Sequence, residues 1–249
     1  MTAMTTTMTS PRSTPQRIGA AFRLHFVNRQ FTLVPLAVFV AGWAVGVAIG
    51  FGIHQSVDGA ITAENPMLLG ASQAALWTLL IYAGLAASNT FPFALALSFS
   101  RRTFMAGTAG AFLVTSLGFG GLFALAALVE QATDGFGVHA YSFALPFLLQ
   151  QGVVGAGILA AAVCLVAMLL GFGFAMLYRR VTVLQLWIVI LALVLIIAAA
   201  AILVTAADRW PTVLGWFAEQ STVGLAAWLL LPAALLAVVD YLLIRRAAP

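Results

Sequence analysis

The chain has no lysine: all eleven of its basic residues are arginine. A phosphate-binding P-loop needs a lysine to reach the β- and γ-phosphates. No standard nucleotide-hydrolysing domain is therefore expected here. Charge of either sign is scarce, at 7% of residues against about 25% in soluble domains. With 63% hydrophobic residues and a mean hydropathy of +1.08, the composition is that of an integral membrane protein. The formal charge of +4 does not mark a nucleic-acid binder, because the arginines stand at the ends of apolar runs rather than in one patch. The single cysteine, Cys164, excludes an intrachain disulfide and reads as a small packing residue. Catalytic motifs are missing as well. There is no H-E-x-x-H or G-x-S-x-G, and no pair of acids lies within the apolar runs. His25, His54 and His139 are scattered, so neither an enzyme nor a metal centre is expected.

What is present is long apolar sequence. A helix crossing the roughly 30 Å hydrocarbon core needs about 20 apolar residues. Six segments qualify, near 32–52, 69–92, 105–129, 152–178, 182–206 and 223–244. The expected fold class is an all-α integral membrane protein with six transmembrane helices in one domain, residues 15–246. Residues 1–14 form a Thr-rich tail expected to be disordered. The first apolar run exceeds the roughly 7–15 residues of a signal-peptide core and reads as a retained span. Pro92 is expected to bend or stop the second helix, with Asn89 and Thr90 available to satisfy backbone groups freed there. Pro146 separates residues 141–151 from the fourth span, as a short segment lying along the interface.

Arginine placement sets the orientation. Arg12, Arg17, Arg23 and Arg29 precede span one, Arg101 and Arg102 join spans two and three, Arg179 and Arg180 join spans four and five, and Arg245 and Arg246 follow span six. Six crossings put all four groups on one side, cytoplasmic by the positive-inside rule, with both termini. The other side holds Asp58, Glu64, Glu130, Asp134, Asp208 and Glu219, with Arg209 its only basic residue.

Before span one, Ile18, Phe22 and Phe26 recur at four-residue steps, with Arg17 and Arg23 off that face. Leu24 and Val27 interrupt the stripe, so the pattern predicts either an amphipathic helix at the membrane interface over residues 15–31 or an ordinary basic lead-in to the span, the former being favoured. In span one, Gly42, Gly46 and Gly50 line one face, suited to close packing within the chain or against a second copy. No internal repeat is evident. Asp240 is the only ionisable residue inside an apolar run. It reads either as a carboxylate paired with the basic terminus at Arg245 or as a partner for another subunit or span. The remaining polar groups in the spans are neutral, and a largely apolar pathway suits amphipathic or lipid-like cargo better than ions.

A basic helix before span one, six spans with both ends on one side, and a short basic connector between spans two and three together resemble a known family. It is the membrane subunit of ATP-binding-cassette exporters, the six-span permease group often called ABC type two. The resemblance covers about residues 15–246, and NTFPFALALSFSRRTFMAGT looks especially like the connector of actinobacterial permeases in that group. It implies a permease without its own ATPase, working as a dimer with a second copy or a paralogue. A separate ATPase subunit would bind ATP and Mg. The connector Leu97, Ser98, Phe99, Ser100, Arg101, Arg102 and Thr103 would seat on that ATPase, with Arg101 and Arg102 reaching acidic or carbonyl groups on it. The preceding helix, with Arg17, Arg23 and Arg29, would lean on the same partner. Residues 209–220 would form a short outer piece, with Trp210, Trp216 and Phe217 in the aromatic belt. Export of drugs, peptide antibiotics, lipids or cell-wall precursors from the plasma membrane is the implied activity. The competing readings are a secondary transporter or channel relying on Asp240, and a membrane scaffold that moves nothing.

Overall fold

A computed structural model describes residues 13–56 and 61–245. The Thr-rich tail to residue 12, Asp58 and Arg246 lie outside the described residues. The elements are α1 (Thr14–Val27), α2 (Gln30–Ser56), β1 (Met67–Leu68), α3 (Gln73–Leu85), α4 (Phe91–Ala96), α5 (Arg101–Ala132), β2 (Ala140–Tyr141), α6 (Gly152–Tyr178), α7 (Val183–Ala206), α8 (Trp210–Glu219) and α9 (Thr222–Arg245). Six helical stretches are long and apolar enough to cross a membrane: Gln30–Ser56, Gln73–Ala96, Arg101–Ala132, Leu149–Tyr178, Val183–Ala206 and Thr222–Arg245. The chain is an all-α, multi-pass membrane protein. In hydrocarbon an isolated segment can satisfy its own backbone only as a helix, so apolar runs of this length fold into these rods. The two short strands pair in parallel, Met67 with Ala140 and Leu68 with Tyr141.

The second span is displaced from its expected position at 69–92. Residues 67–68 are held in the strand pair, so the helix begins at Gln73. Pro92 does not stop it. A π-helical turn over Ala86–Thr90 carries the chain into α4, where Pro92 occupies the first turn and its missing N–H is not needed. The carbonyls loosened by this change of register belong to Ala87 and Ser88, and the Arg179 guanidinium donates to both, at 3.4 and 3.5 Å. That task falls to Arg179 rather than to Asn89 and Thr90.

α6 is the hub, packed against α5, α9 and α3. Small residues let it approach closely. A methyl group added to Gly120 of α5 would sit 2.5 Å from the Gly157 carbonyl oxygen and 2.6 Å from the Ala161 Cβ. One added to Gly171 would strike the Leu80 carbonyl of α3. The glycine stripe of α2 is likewise used inside the chain. Gly42 faces Ala71 and Ala74, Gly46 faces Ser142 and Ala71, and Gly50 faces Ala140. Between these helices an aromatic core of Phe39, Phe112, Phe119, Phe143 and Phe172 is buried.

In the segment around Pro146, residues 145–151 are half-buried or exposed, while residues 142–144 go inward. Ser142, Phe143 and Ala144 turn into the bundle, and the Phe143 ring stacks against Phe39, Trp43 and Phe123 at centroid distances of 4.9, 5.8 and 5.0 Å. α7 is the opposite case. Leu186 is its only buried residue, and it meets the bundle mainly through α6. α8 is exposed along its length, with Trp216 stacked on Phe217 and Trp228.

Gly120→Leu is expected to force α5 from α6 and destabilise the bundle by about 2 kcal/mol or more. Gly121→Leu, whose added Cβ meets nothing within 4 Å, should be close to neutral. Thermal unfolding in detergent, followed through the reactivity of the lone Cys164, compares the two.

Candidate functional site

The described arginines of all four basic groups gather at one end of the bundle, and three of them, Arg17, Arg101 and Arg179, grip backbone. The connector between α4 and α5 begins at Leu97, which caps α4 and is about half exposed. Ser98 follows with φ of 60°, a left-handed conformation that side-chain-bearing residues rarely adopt. Its N–H donates to the Leu95 carbonyl and the Phe99 N–H to the Ala94 carbonyl, which closes the turn. The Ser98 carbonyl points at α1, where Arg17 Nη2 donates to it at 2.7 Å. Phe99 folds back against the core. Ser100 then caps α5, its Oγ accepting from the Thr103 N–H at 3.2 Å, while Thr103 itself is buried.

Arg101 and Arg102 occupy the first positions of α5, where a positive charge opposes the helix dipole. Both reach back onto their own chain. Arg101 Nη1 donates to the Arg245 carbonyl at 2.6 Å, and Arg102 Nε to the Tyr241 hydroxyl at 3.1 Å. Both targets lie in the last turns of α9, whose free carbonyls and negative dipole end favour cations. The connector thereby links α1, α5 and α9. Its solvent-facing surface is Leu97, Ser98, Ser100 and the exposed part of Arg102.

α1 docks on α5, and its buried face is Ala21 and His25 rather than Ile18, Phe22 and Phe26, which are half buried beside it. A methyl group on Gly107 would meet the Ala21 Cβ at 2.7 Å, so glycine there is what admits the helix. His25 is 2% exposed; its Nε2 lies 2.9 Å from the Thr108 Oγ1, and Phe31, Phe104 and Phe112 surround the ring. Thr108 also donates to the Phe104 carbonyl, leaving its lone pairs for a protonated Nε2. Nδ1 has no partner, and burial pulls the imidazole pKa from 6.5 down to about 4. Phe22 and Phe26 stack on each other at 5.0 Å, while Arg23 and Arg29 are exposed.

Asp240 is fully buried, yet it does not pair with Arg245. Its carboxylate abuts Gly173 of α6, and neither oxygen has a hydrogen-bond partner among the described residues.

At the opposite end a buried carboxylate organises the chain. Glu130 Oε2 accepts from the backbone N–H groups of Ser142, Phe143 and Ala144 at 3.0, 2.8 and 2.9 Å. Oε1 accepts from the Trp43 indole at 2.8 Å. Sequence gives no hint of this, because the partners lie 12 to 14 and 87 residues away. Below this clamp, in the half of the bundle away from the arginines, is an apolar cavity of about 200 Å³ lined by Phe39, Phe119, Phe123, Leu148, Leu159 and Val163. Ser72 and Gln73 are its main polar groups. Phe39, Phe119 and Phe123 thus serve both the core and the cavity wall.

Comparison with protein-family models, curated proteins and solved structures finds no match to this chain.

Two outcomes follow from these contacts. Glu130→Gln should place an amide donor among three backbone donors and speed hydrogen exchange at residues 142–144 by about tenfold or more. For His25, the folded pKa lies below the unfolded one, so its stabilising contribution is full above pH 6.5 and is lost as pH falls toward 4. The stability of the wild type minus that of His25→Gln should drop by up to about 3 kcal/mol between pH 7 and pH 4. Unfolding titrations at each pH measure it.

Proposed function

We propose that this chain is the permease subunit of an ATP-driven exporter, moving an amphipathic or lipid-like molecule across the plasma membrane. The observation that carries the reading is the connector. A short exposed turn, Leu97–Ser100, is held in a left-handed conformation by Arg17 and tied through Arg101 and Arg102 to α9. A push on that turn reaches three helices at once. The positive-inside rule puts this end, both termini and α1 in the cytoplasm, where a separate ATPase subunit binding ATP and Mg would seat. Exposed Arg23 and Arg29 give α1 a second contact with that subunit. The apolar cavity at the other end supplies a small, oily compartment suited to an amphipathic cargo. α7, apolar and almost wholly unpacked, offers a face for a second copy or a paralogue.

A second reading is favoured by Asp240. A buried carboxylate without a hydrogen-bond partner inside a spanning helix is the kind of group around which an ion-coupled carrier is built.

The test is co-expression with candidate ATPase subunits, followed by purification and transport assay in vesicles. The chain is expected to retain one ATPase subunit. Leu97→Asp should lower that retention and ATP-driven transport by about tenfold or more while leaving the chain folded. Absence of any complex, together with transport that persists without ATP and is lost in Asp240→Asn, would sink the exporter reading in favour of the carrier.

A further inference from the structure

Below the Glu130 clamp, α2, α3, α5 and α6 surround the apolar cavity of about 200 Å³. Its wall along α6 runs from Ala156 to Cys164, about 12 Å of helix. A dry cavity of about 150 Å³ lined by aliphatic and aromatic side chains takes benzene. The space here is sized for one ring with a few further atoms, and falls short of the roughly 300–1,000 Å³ of sites for drug-sized ligands.

The walls differ in kind. α2 and α5 contribute Phe39, Phe119 and Phe123, with Phe39 and Phe119 edge to face at 6.2 Å. α3 and α6 contribute Ala75, Ala156 and Ala160, whose short side chains leave the space open. A flat ring gains edge and offset contacts with such phenylalanines beyond the area it buries. No charged residue is among the described residues that line the cavity. The acid behind this wall is Glu130, reached through Phe143, on which Phe39 and Phe123 both stack. Its oxygens are taken by the N–H groups of Trp43, Ser142, Phe143 and Ala144, which leaves little for a cation. A charged ligand would be desolvated here without a counter-charge.

Ser72 and Gln73 mark one end of the space, on the first turn of α3 and away from the arginines. Backbone bonds close that turn, from the Gln73 and Ala74 N–H groups to the Gly70 and Ala71 carbonyls, and Ser72 makes no capping bond. The turn therefore does not consume the hydroxyl or the amide. Gln73 is exposed and Ser72 half-buried, so the polar end is the mouth.

We propose that this cavity binds an uncharged molecule of the phenol class, with one aromatic ring and one hydrogen-bonding group. The ring lies among Phe39, Phe119 and Phe123, and the hydroxyl meets Ser72 and Gln73 at the mouth. The inference rests on the reading of this cavity as the cargo compartment, and names the chemical class of the cargo.

The full-length chain in phospholipid nanodiscs, titrated with para-fluorophenol and followed by fluorine NMR, tests this. Binding in excess of protein-free nanodiscs is expected. It should be about fivefold tighter than for para-fluorotoluene, which lacks the hydrogen bond. The charged para-fluorobenzoate should bind weaker than the phenol by about tenfold or more. Ala160→Phe, which fills the space, should lower para-fluorophenol binding by about tenfold or more. Ser72→Ala combined with Gln73→Leu should still take the ring but lose the preference for phenol over toluene, a change that altered folding alone would not produce. No excess binding by the wild type, as when a lipid acyl chain fills the cavity, would overturn the proposal. So would para-fluorobenzoate binding as tight as that of the phenol, or para-fluorophenol binding that is undiminished in Ala160→Phe and keeps its preference in the double variant. Ring binding by a chain that retains no ATPase subunit would remove the exporter reading and leave the site. An ATPase-coupled chain that binds no ring would remove the site and leave the exporter.

Discussion

A helix that ends or breaks leaves backbone groups without intrahelical partners, and wherever water is excluded the protein itself must supply them. This chain satisfies several such groups with its few charges. Arg17 takes the Ser98 carbonyl, Arg101 takes the last described carbonyl of α9, and Arg179 takes the carbonyls at the π-turn. Glu130 takes three successive N–H groups where the chain turns inward before α6. A charged partner makes a stronger hydrogen bond than a neutral one, and a single carboxylate can accept several. Seven per cent of charged residues is enough for this architecture because those charges stand at its breaks.

The two ends are stabilised by opposite signs and differ in kind. At the arginine end, long side chains reach from one element to the next and leave a small turn exposed between them. At the other end, one acid draws loop backbone into the bundle, where Phe143 completes an aromatic cluster with Phe39, Trp43 and Phe123. That cluster borders the apolar cavity through Phe39 and Phe123. A displacement of the inward-turned segment would therefore alter the cavity wall, since Leu148 belongs to the same segment. Between the ends, α6 is held by contacts of small residues with backbone, which resist sliding because Gly120, Gly157 and Gly171 leave no slack.

Several elements were legible in the sequence with little error. The six spans follow from apolar length, and helices α6, α7 and α9 begin and end within a residue or so of expectation. Gly42, Gly46 and Gly50 were recognisable as a packing face, since spacing alone puts them on one side of a helix. Other features were out of reach because their partners are remote. Nothing local marks Glu130 as a clamp, because what it grips is backbone and any sequence can supply that. His25 looks like one more basic lead-in residue until Thr108, 83 positions away, is brought beside it. Ile18, Phe22 and Phe26 mark an apolar face of α1 by spacing, but nothing in the sequence shows that Ala21 is the residue that meets α5. The closest contact between helices is made by the small residue.

By itself, then, the sequence determined how many times the chain can cross a membrane, roughly where it turns, and that all its arginines but Arg209 collect at one end. Each of these depends on composition within a window of about 20 residues. Only the tertiary structure decided what the charges do. It turned Arg101 and Arg102 onto α9, gave Arg179 the carbonyls near Pro92, left the Asp240 oxygens without a hydrogen-bond donor among the described residues, and set Glu130 on a folded-in loop. Those assignments depend on which backbone groups are orphaned and which side chain can reach them, and both exist only once the helices have packed.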